Sequence, residues 1–193
     1  MVYLLDEYIW EQAVKTLKKW NESGNTKNYI SVNVSIKDFY FTDIYKTFTH
    51  LAKKYDIDPS KLHIEINESV LMSDFYKAHE LSTKLQSFGF IVAIDNFGSG
   101  YSSLNMLKDF KPHLFKLDIS LLQDTDDINK NEIILDAIIK MAETLEIGVI
   151  GIGVETDRQI EILKKLGCKN FQGHGLGKPM KLEEFENSFL QKE

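Results

Sequence analysis

Phe90-Ile91-Val92-Ala93-Ile94-Asp95-Asn96-Phe97-Gly98-Ser99-Gly100-Tyr101-Ser102-Ser103-Leu104 decides the fold. Apolar residues run into an acid, an amide and two glycines, the pattern of a buried strand that ends in a polar, pliable loop. α/β proteins place their chemistry at such strand ends. A carboxylate fixed there can hold a metal or orient a substrate, and Gly98 and Gly100 let the loop bend close to a ligand. An ordinary strand-to-helix turn with Asp95 as the helix cap fits the same stretch, so neighbouring segments must decide.

Working outward, the same pattern recurs along the chain. The segments Tyr29–Ser35, Leu62–Glu68, His113–Asp118, Ile147–Val154 and Asn170–Gln172 also read as strands. Helical spacing marks Leu5–Trp20, Lys37–Tyr55, Ser69–Phe88, Asn131–Leu145, Asp157–Leu166 and Lys181–Gln191, with a short helix over Ser102–Phe110 and a polar loop over Gln123–Asn129. In the first helix Leu5, Tyr8, Ile9, Ala13, Leu17 and Trp20 form the apolar series. Tyr40, Phe41, Tyr45 and Phe48 read as packing residues rather than a cofactor box. Strand and helix alternate throughout, which requires parallel pairing through right-handed crossovers. Asn33, Glu65, Asp95, Lys116, Glu155 and Gln172 then all fall at the carboxyl end of one sheet. A random scatter of loop residues would not choose the same end of six strands.

Composition narrows the classes of function. The 193 residues, 43% of them hydrophobic, suit one domain with its own core, and three prolines without any low-complexity tract leave no visible linker. A formal charge of −6 disfavours a nucleic-acid polymer as partner, since phosphate neutralisation needs a concentrated basic face. The single cysteine, Cys168, precludes an intramolecular disulfide and reads as a small buried apolar residue. No apolar run is long enough to span a membrane, and the opening residues lack the features of a signal peptide. A cytoplasmic location is the expectation.

Asn33, Glu65 and Asp95 on neighbouring strands offer hard oxygen ligands of the kind Mg2+, Mn2+ or Ca2+ prefers. The five histidines show no zinc-ligand spacing. Lys116 on the same rim could neutralise a phosphate oxygen or hold a water, and phosphoryl or phosphodiester chemistry is the natural class for such a set. A salt bridge between Lys116 and Asp118, two apart on one strand, is the plainer reading of that lysine.

Taken together, Ser31-Val32-Asn33-Val34-Ser35, Glu65-Ile66-Asn67-Glu68-Ser69, the Asp95–Leu104 stretch, Lys116-Leu117-Asp118, Gly153-Val154-Glu155-Thr156 with Gln159, and Gly167-Cys168 followed by Phe171-Gln172-Gly173 and Lys178-Pro179 resemble the EAL domain. The resemblance covers essentially the whole chain. It implies a TIM-like (β/α) barrel and a phosphodiesterase that linearises cyclic di-GMP with Mg2+ or Mn2+. It carries Asn33, Glu65, Asp95 and, at a second acidic position, Asn96 onto the family's metal ligands. Glu68 falls on the acid that anchors the loop after Asp95, Lys116 on the lysine that positions the attacking water, Glu155 on a supporting acid and Gln172 on a pocket glutamine. Gly98, Ser99, Gly100, Glu68, Asp118 and Pro179 fall along the ligand pocket.

Three departures from the family pattern stand out. The Glu-Ala-Leu signature, expected on an early strand ahead of the opening helix, does not occur near the start, so an incomplete barrel of six strands is the expectation. Asn96 stands where active members carry a second aspartate. Ile152 stands where they carry the first glutamate of an Ala-Glu-Gly-Val-Glu run. The expectation is therefore a degenerate EAL-like domain, 1–193, either by itself or as the C-terminal part of a longer signalling protein, with weak metal binding and little turnover. It would act by binding cyclic di-GMP or a protein, with a residual phosphodiesterase and a scaffold or dimerisation module as alternatives. A homodimer or other partner is expected to cover open strand edges, and the helix after the Gly98–Ser103 loop is the interface the resemblance points to.

Overall fold

The computed structural model describes residues 2–98, 107, 109–119 and 128–190. Six strands run β1 Ile30–Val34, β2 Leu62–Asn67, β3 Ile91–Phe97, β4 Leu114–Asp118, β5 Gly148–Ile152 and β6 Asn170–Gln172. They form one sheet in the order β1-β2-β3-β4-β5-β6, every neighbouring pair parallel. Sequential order with parallel pairing is the topology of a barrel wall, and the sheet curls into a half-barrel flanked by helices. The helices are α1 Val2–Glu22, α2 Ile36–Phe41, α3 Ile44–Tyr55, α4 Glu68–Ser73, α5 Phe75–Phe88, α6 Ile128–Thr144, α7 Asp157–Lys165 and α8 Leu182–Phe189.

Parallel register divides each strand's side chains between two faces. Val32, Ile64 and Val92 lie side by side, as do Val34, Ile66 and Ile94. These are buried, and together with Trp10, Phe48, Leu85, Phe90 and Phe115 they form the core beneath the helices. The opposite face carries Asn33 beside Glu65 and Asn67 beside Asp95. That face is where the sheet keeps its polar side chains.

Two predicted helices are each broken in two. Apolar periodicity runs continuously from Lys37 to Tyr55, yet α2 ends at Phe41 and Asp43 restarts the chain as the cap of α3, accepting from the Lys46 amide at 3.1 Å. Asp74 likewise caps α5 by accepting from the Lys77 amide at 3.1 Å, separating it from α4. A capping carboxylate satisfies an amide that the helix start leaves open, and this outweighs the continuous spacing. Ser35 and Asp38 close a capping box on α2. The predicted helix over Ser102–Phe110 and loop over Gln123–Asn129 lie largely outside the described residues.

α1 buries the second half of its predicted series, Leu17 and Trp20 in the core with Ala13 packed against it, but not the first half. Trp10, Val14, Leu17 and Trp20 are buried, whereas Leu5, Tyr8 and Ile9 are exposed. The helix carries apolar residues on more than one side, and the Trp10 indole, donating to the Asn33 carbonyl at 3.0 Å, fixes which side meets β1. At its far end Lys19 and the Trp20 indole both donate to the Glu186 carboxylate, and Trp20 stacks on Phe185. The last helix thus returns against the first. Of the four aromatic residues read as packing, Phe48 is fully buried, Tyr45 packs on the core, and Tyr40 and Phe41 are exposed. Cys168 is buried as expected, and burial pushes its thiol up.

At the amino end of the sheet His63 stacks on Tyr29 with ring centroids 4.0 Å apart, and its Nδ1 is buried without a hydrogen-bond partner. Burial, and then the nearby His113, hold its pKa down to about 4 from 6.5. Between those values the unfolded chain binds a proton that the folded chain refuses, so stability falls as pH drops from about 6.5 to about 4. The ring keeps part of its surface in water, which limits the loss to about 1–2 kcal/mol. Denaturant titrations at pH 7 and pH 4.5 should show this difference, and His63→Phe, which keeps the stack, should shrink it. An unchanged difference in His63→Phe would place the acid sensitivity elsewhere.

Candidate functional site

The site begins with an irregularity in β3. The β3–β4 register shifts between Ile94 and Phe97, and Asn96 adopts a left-handed backbone with φ of 56°. Asparagine tolerates that region better than most side chains, and a bulge re-aims the residues around it. Phe97 thereby returns to the core, stacked on Phe115 at 4.2 Å, while Asp95 stays on the polar face. Gly98 follows with φ of 90°, a conformation that favours glycine, consistent with the bend expected there.

Three side chains meet on this face. The Lys116 ammonium donates to Glu65 Oε2 at 2.6 Å and lies 3.4 Å from Asp95 Oδ1. Glu65 and Lys116 are 5% and 6% exposed, so this ion pair is held largely away from water. The Asn96 amide donates to Asp95 Oδ2 at 3.1 Å. Lys116 therefore pairs across the sheet, and not with Asp118 along its own strand as the plainer reading has it. Side chains two apart on a strand stand about 7 Å from one another, whereas those of adjacent strands are within reach.

The other sequence-derived residues take more distant places. Asn33 lies beside Glu65 in the register and is exposed. Glu68 is buried in the first turn of α4, one residue past the strand end. Lys116 pairs with Ile150 and Asp118 with Ile152, so Ile152 shares the polar face, half-buried. Glu155 and Gln172 are exposed on the β5–β6 side, and with Ile152, Phe171, Pro179 and Phe185 they line a groove of about 830 Å3. The Glu155 backbone amide donates to the Gln159 side chain, which closes the capping box of α7. The structure brings together Glu65, Asp95, Asn96 and Lys116, and leaves Glu155, Gln172 and Pro179 on a separate part of the rim. Ser99 and Gly100 lie outside the described residues.

Gly173 and Gly175 matter to this rim and were not singled out for it by sequence reasoning. A side chain on Gly173 would strike the backbone of Val154, and one on Gly175 the backbone of Glu155. Hydrogen bonds from the Val154 amide to Gln172 and from the Gly175 amide to Val154 join the two strand exits there. Glycines spaced two apart after a short strand were the available signal.

The oxygen donors are the two carboxylates of Glu65 and Asp95, with the amide side chains of Asn33 and Asn96 at neighbouring positions. Asp95 Oδ1 is buried with no hydrogen-bond partner, its nearest cation being Lys116. Such a set fits a divalent cation of the Mg2+ or Mn2+ type. Among the described residues no three His, Cys, Asp or Glu side chains converge on one point.

Fold and site together define an α/β half-barrel with a carboxylate–lysine centre at the carboxyl ends of its strands. The chain belongs to the EAL domain family, whose pattern it matches over residues 1–179. It is 32% identical over 187 residues to the Bacillus subtilis signaling protein YkoW, covering 97% of this chain and 23% of that protein. The chain thus spans about a quarter of the length of that relative. Among solved structures it superposes on the PaMucR phosphodiesterase in complex with c-di-GMP with a TM-score of 0.88 and 29% identity, over 95% of this chain and 74% of that one. Klebsiella pneumoniae BlrP1, solved with manganese and c-di-GMP, gives a TM-score of 0.75 at 26% identity over 89% of this chain and 43% of that one. Among the described residues no helix is long and apolar enough to cross a membrane.

Proposed function

We propose that this chain is a single EAL module of cyclic di-GMP signalling that binds the nucleotide and hydrolyses it slowly or not at all. The observation that carries the reading is the inner face of the sheet. Glu65, Asp95 and Lys116 stand together at the strand ends, while Asn96 supplies an amide against Asp95 and Ile152 a hydrocarbon opposite Asp118 on the same face. Similarity to the PaMucR complex supports the nucleotide as ligand, and the BlrP1 complex supports a divalent cation.

Glu65 and Asp95, with the Asn33 side-chain oxygen, would hold the cation, which when bound would lower the pKa of a water and offset phosphate charge. Lys116, by its charge, favours a bridging phosphate at the same rim. Gln172 and Glu155 border the groove on the β5–β6 side, where a guanine base could lie against Phe171 and Pro179. Two carboxylates beside a lysine leave one net negative charge, less than a pair of divalent ions requires, and this is why turnover is expected to be low.

Calorimetric titration with cyclic di-GMP, and chromatography of the nucleotide after incubation with Mg2+ or Mn2+, test both halves. Saturable binding with the nucleotide recovered intact is the expected result. Metal-dependent linear product would make the chain a working phosphodiesterase, and no binding heat would remove the nucleotide from the reading.

A further inference from the structure

We propose that Lys116 is a built-in counter-cation that occupies the seat of the divalent ion, so that metal binding must first displace it. The idea rests on the proposed function in one respect only, that Glu65 and Asp95 are the seat. Its physical basis is the ammonium that the chain itself places between those two carboxylates. Lys116 Nζ takes Glu65 Oε2 at 2.6 Å and faces Asp95 Oδ1 at 3.4 Å, spanning the two acids as one cation. Asn96 supplies the complementary contact, its amide holding Asp95 Oδ2 at 3.1 Å. An aspartate at that position would have no proton to donate and would add an anion.

Burial makes the arrangement consequential. Glu65 and Lys116 are almost entirely withdrawn from water, so neither charge can fall back on solvent when the other is taken away. A divalent ion entering between Glu65 and Asp95 would meet an ammonium at contact distance in a low-dielectric setting, where like charges repel strongly. Binding therefore requires Lys116 to swing out, along with loss of its ion pair. The same displacement would free the ammonium for an anion arriving at the rim, so cation and phosphate should favour each other's binding.

Mn2+ titrated alone, with no nucleotide present, reads the first step directly. Calorimetry or the electron paramagnetic resonance signal of free Mn2+ should show Lys116→Met and Asn96→Asp each binding at least about tenfold more tightly than the wild type. Lys116→Met should also melt at a lower temperature in EDTA and recover when Mn2+ is added, with the wild type shifting less. Affinity in the folded Lys116→Met protein equal to or weaker than wild type overturns the proposal. Should Lys116→Met not fold in EDTA, Lys116→Gln, which removes the charge but can still donate to Glu65, decides in its place, tighter Mn2+ binding supporting the proposal and unchanged binding overturning it. Absence of cyclic di-GMP binding would sink the proposed function without touching this order of Mn2+ affinities, so the two failures are distinguishable.

Discussion

Glu65→Ala is expected to lower the unfolding free energy by about 3 kcal/mol, the low end of what breaking a buried ion pair costs, because Asp95 still faces the stranded lysine. The alanine removes the 2.6 Å partner of Lys116 and leaves an ammonium that is 6% exposed with one carboxylate at 3.4 Å. For a chain of this size that corresponds to a fall in melting temperature of roughly 6–12 °C. Glu65→Gln, which keeps an acceptor for the ammonium, should cost less than the alanine. The double variant Glu65→Ala/Lys116→Met should recover part of the loss, since two buried charges vanish together. Denaturant titrations of these proteins together with the Lys116→Met single variant measure the coupling, and additive losses from Glu65→Ala and Lys116→Met would mean that the pair does not interact.

The fold was legible because strand ends announce themselves. Each apolar run carries a polar residue at or within two positions of its carboxyl end, at Asn33, Glu65, Asp95, Lys116 and Gln172, and the alternation with helices permits little besides a parallel sheet. The strand bounds fall within a few residues of those read from sequence. Helix breaks were hidden for the opposite reason. Asp43 and Asp74 sit inside continuous apolar spacing, and only the cap hydrogen bonds reveal that the chain restarts there. The buried face of α1 depended on a tertiary contact, the Trp10 indole on the Asn33 carbonyl, that spacing cannot anticipate. In the site, residue types were readable and partners were not. Lys116 and Glu65 are 51 positions apart, and their meeting follows from inter-strand register, which no local pattern encodes. The Asn96 amide could be noted as a lost charge from sequence alone. Its second role, as a donor to Asp95, needed the left-handed turn that aims it.

The same dependence on register makes Gly173 a severe test of the β5–β6 rim. A methyl group there would strike the amide nitrogen, carbonyl carbon and oxygen of Val154, backbone atoms of a residue with no exposed surface. No rotamer change can relieve such a contact, so the chain after β6 must move away. That movement would break the 3.1 Å bond from the Val154 amide to the Gln172 carbonyl and the 3.0 Å bond from Gly175 to Val154. Gly173→Ala should lose about 3 kcal/mol of stability, the upper part of the range for forced overpacking. It should also displace Gln172 and Glu155 together, because the broken bonds are those that hold their backbones in register. If the groove binds the nucleotide, affinity for cyclic di-GMP measured by calorimetry should fall by at least about tenfold, more than a uniform loss of stability would produce in a protein still folded at 25 °C. Gly177→Ala is the matched control for stability, since a methyl there meets nothing within 4 Å, and it should leave the unfolding free energy near wild type. Equal effects from the two alanines would mean that the joint between the strand exits does not position this rim.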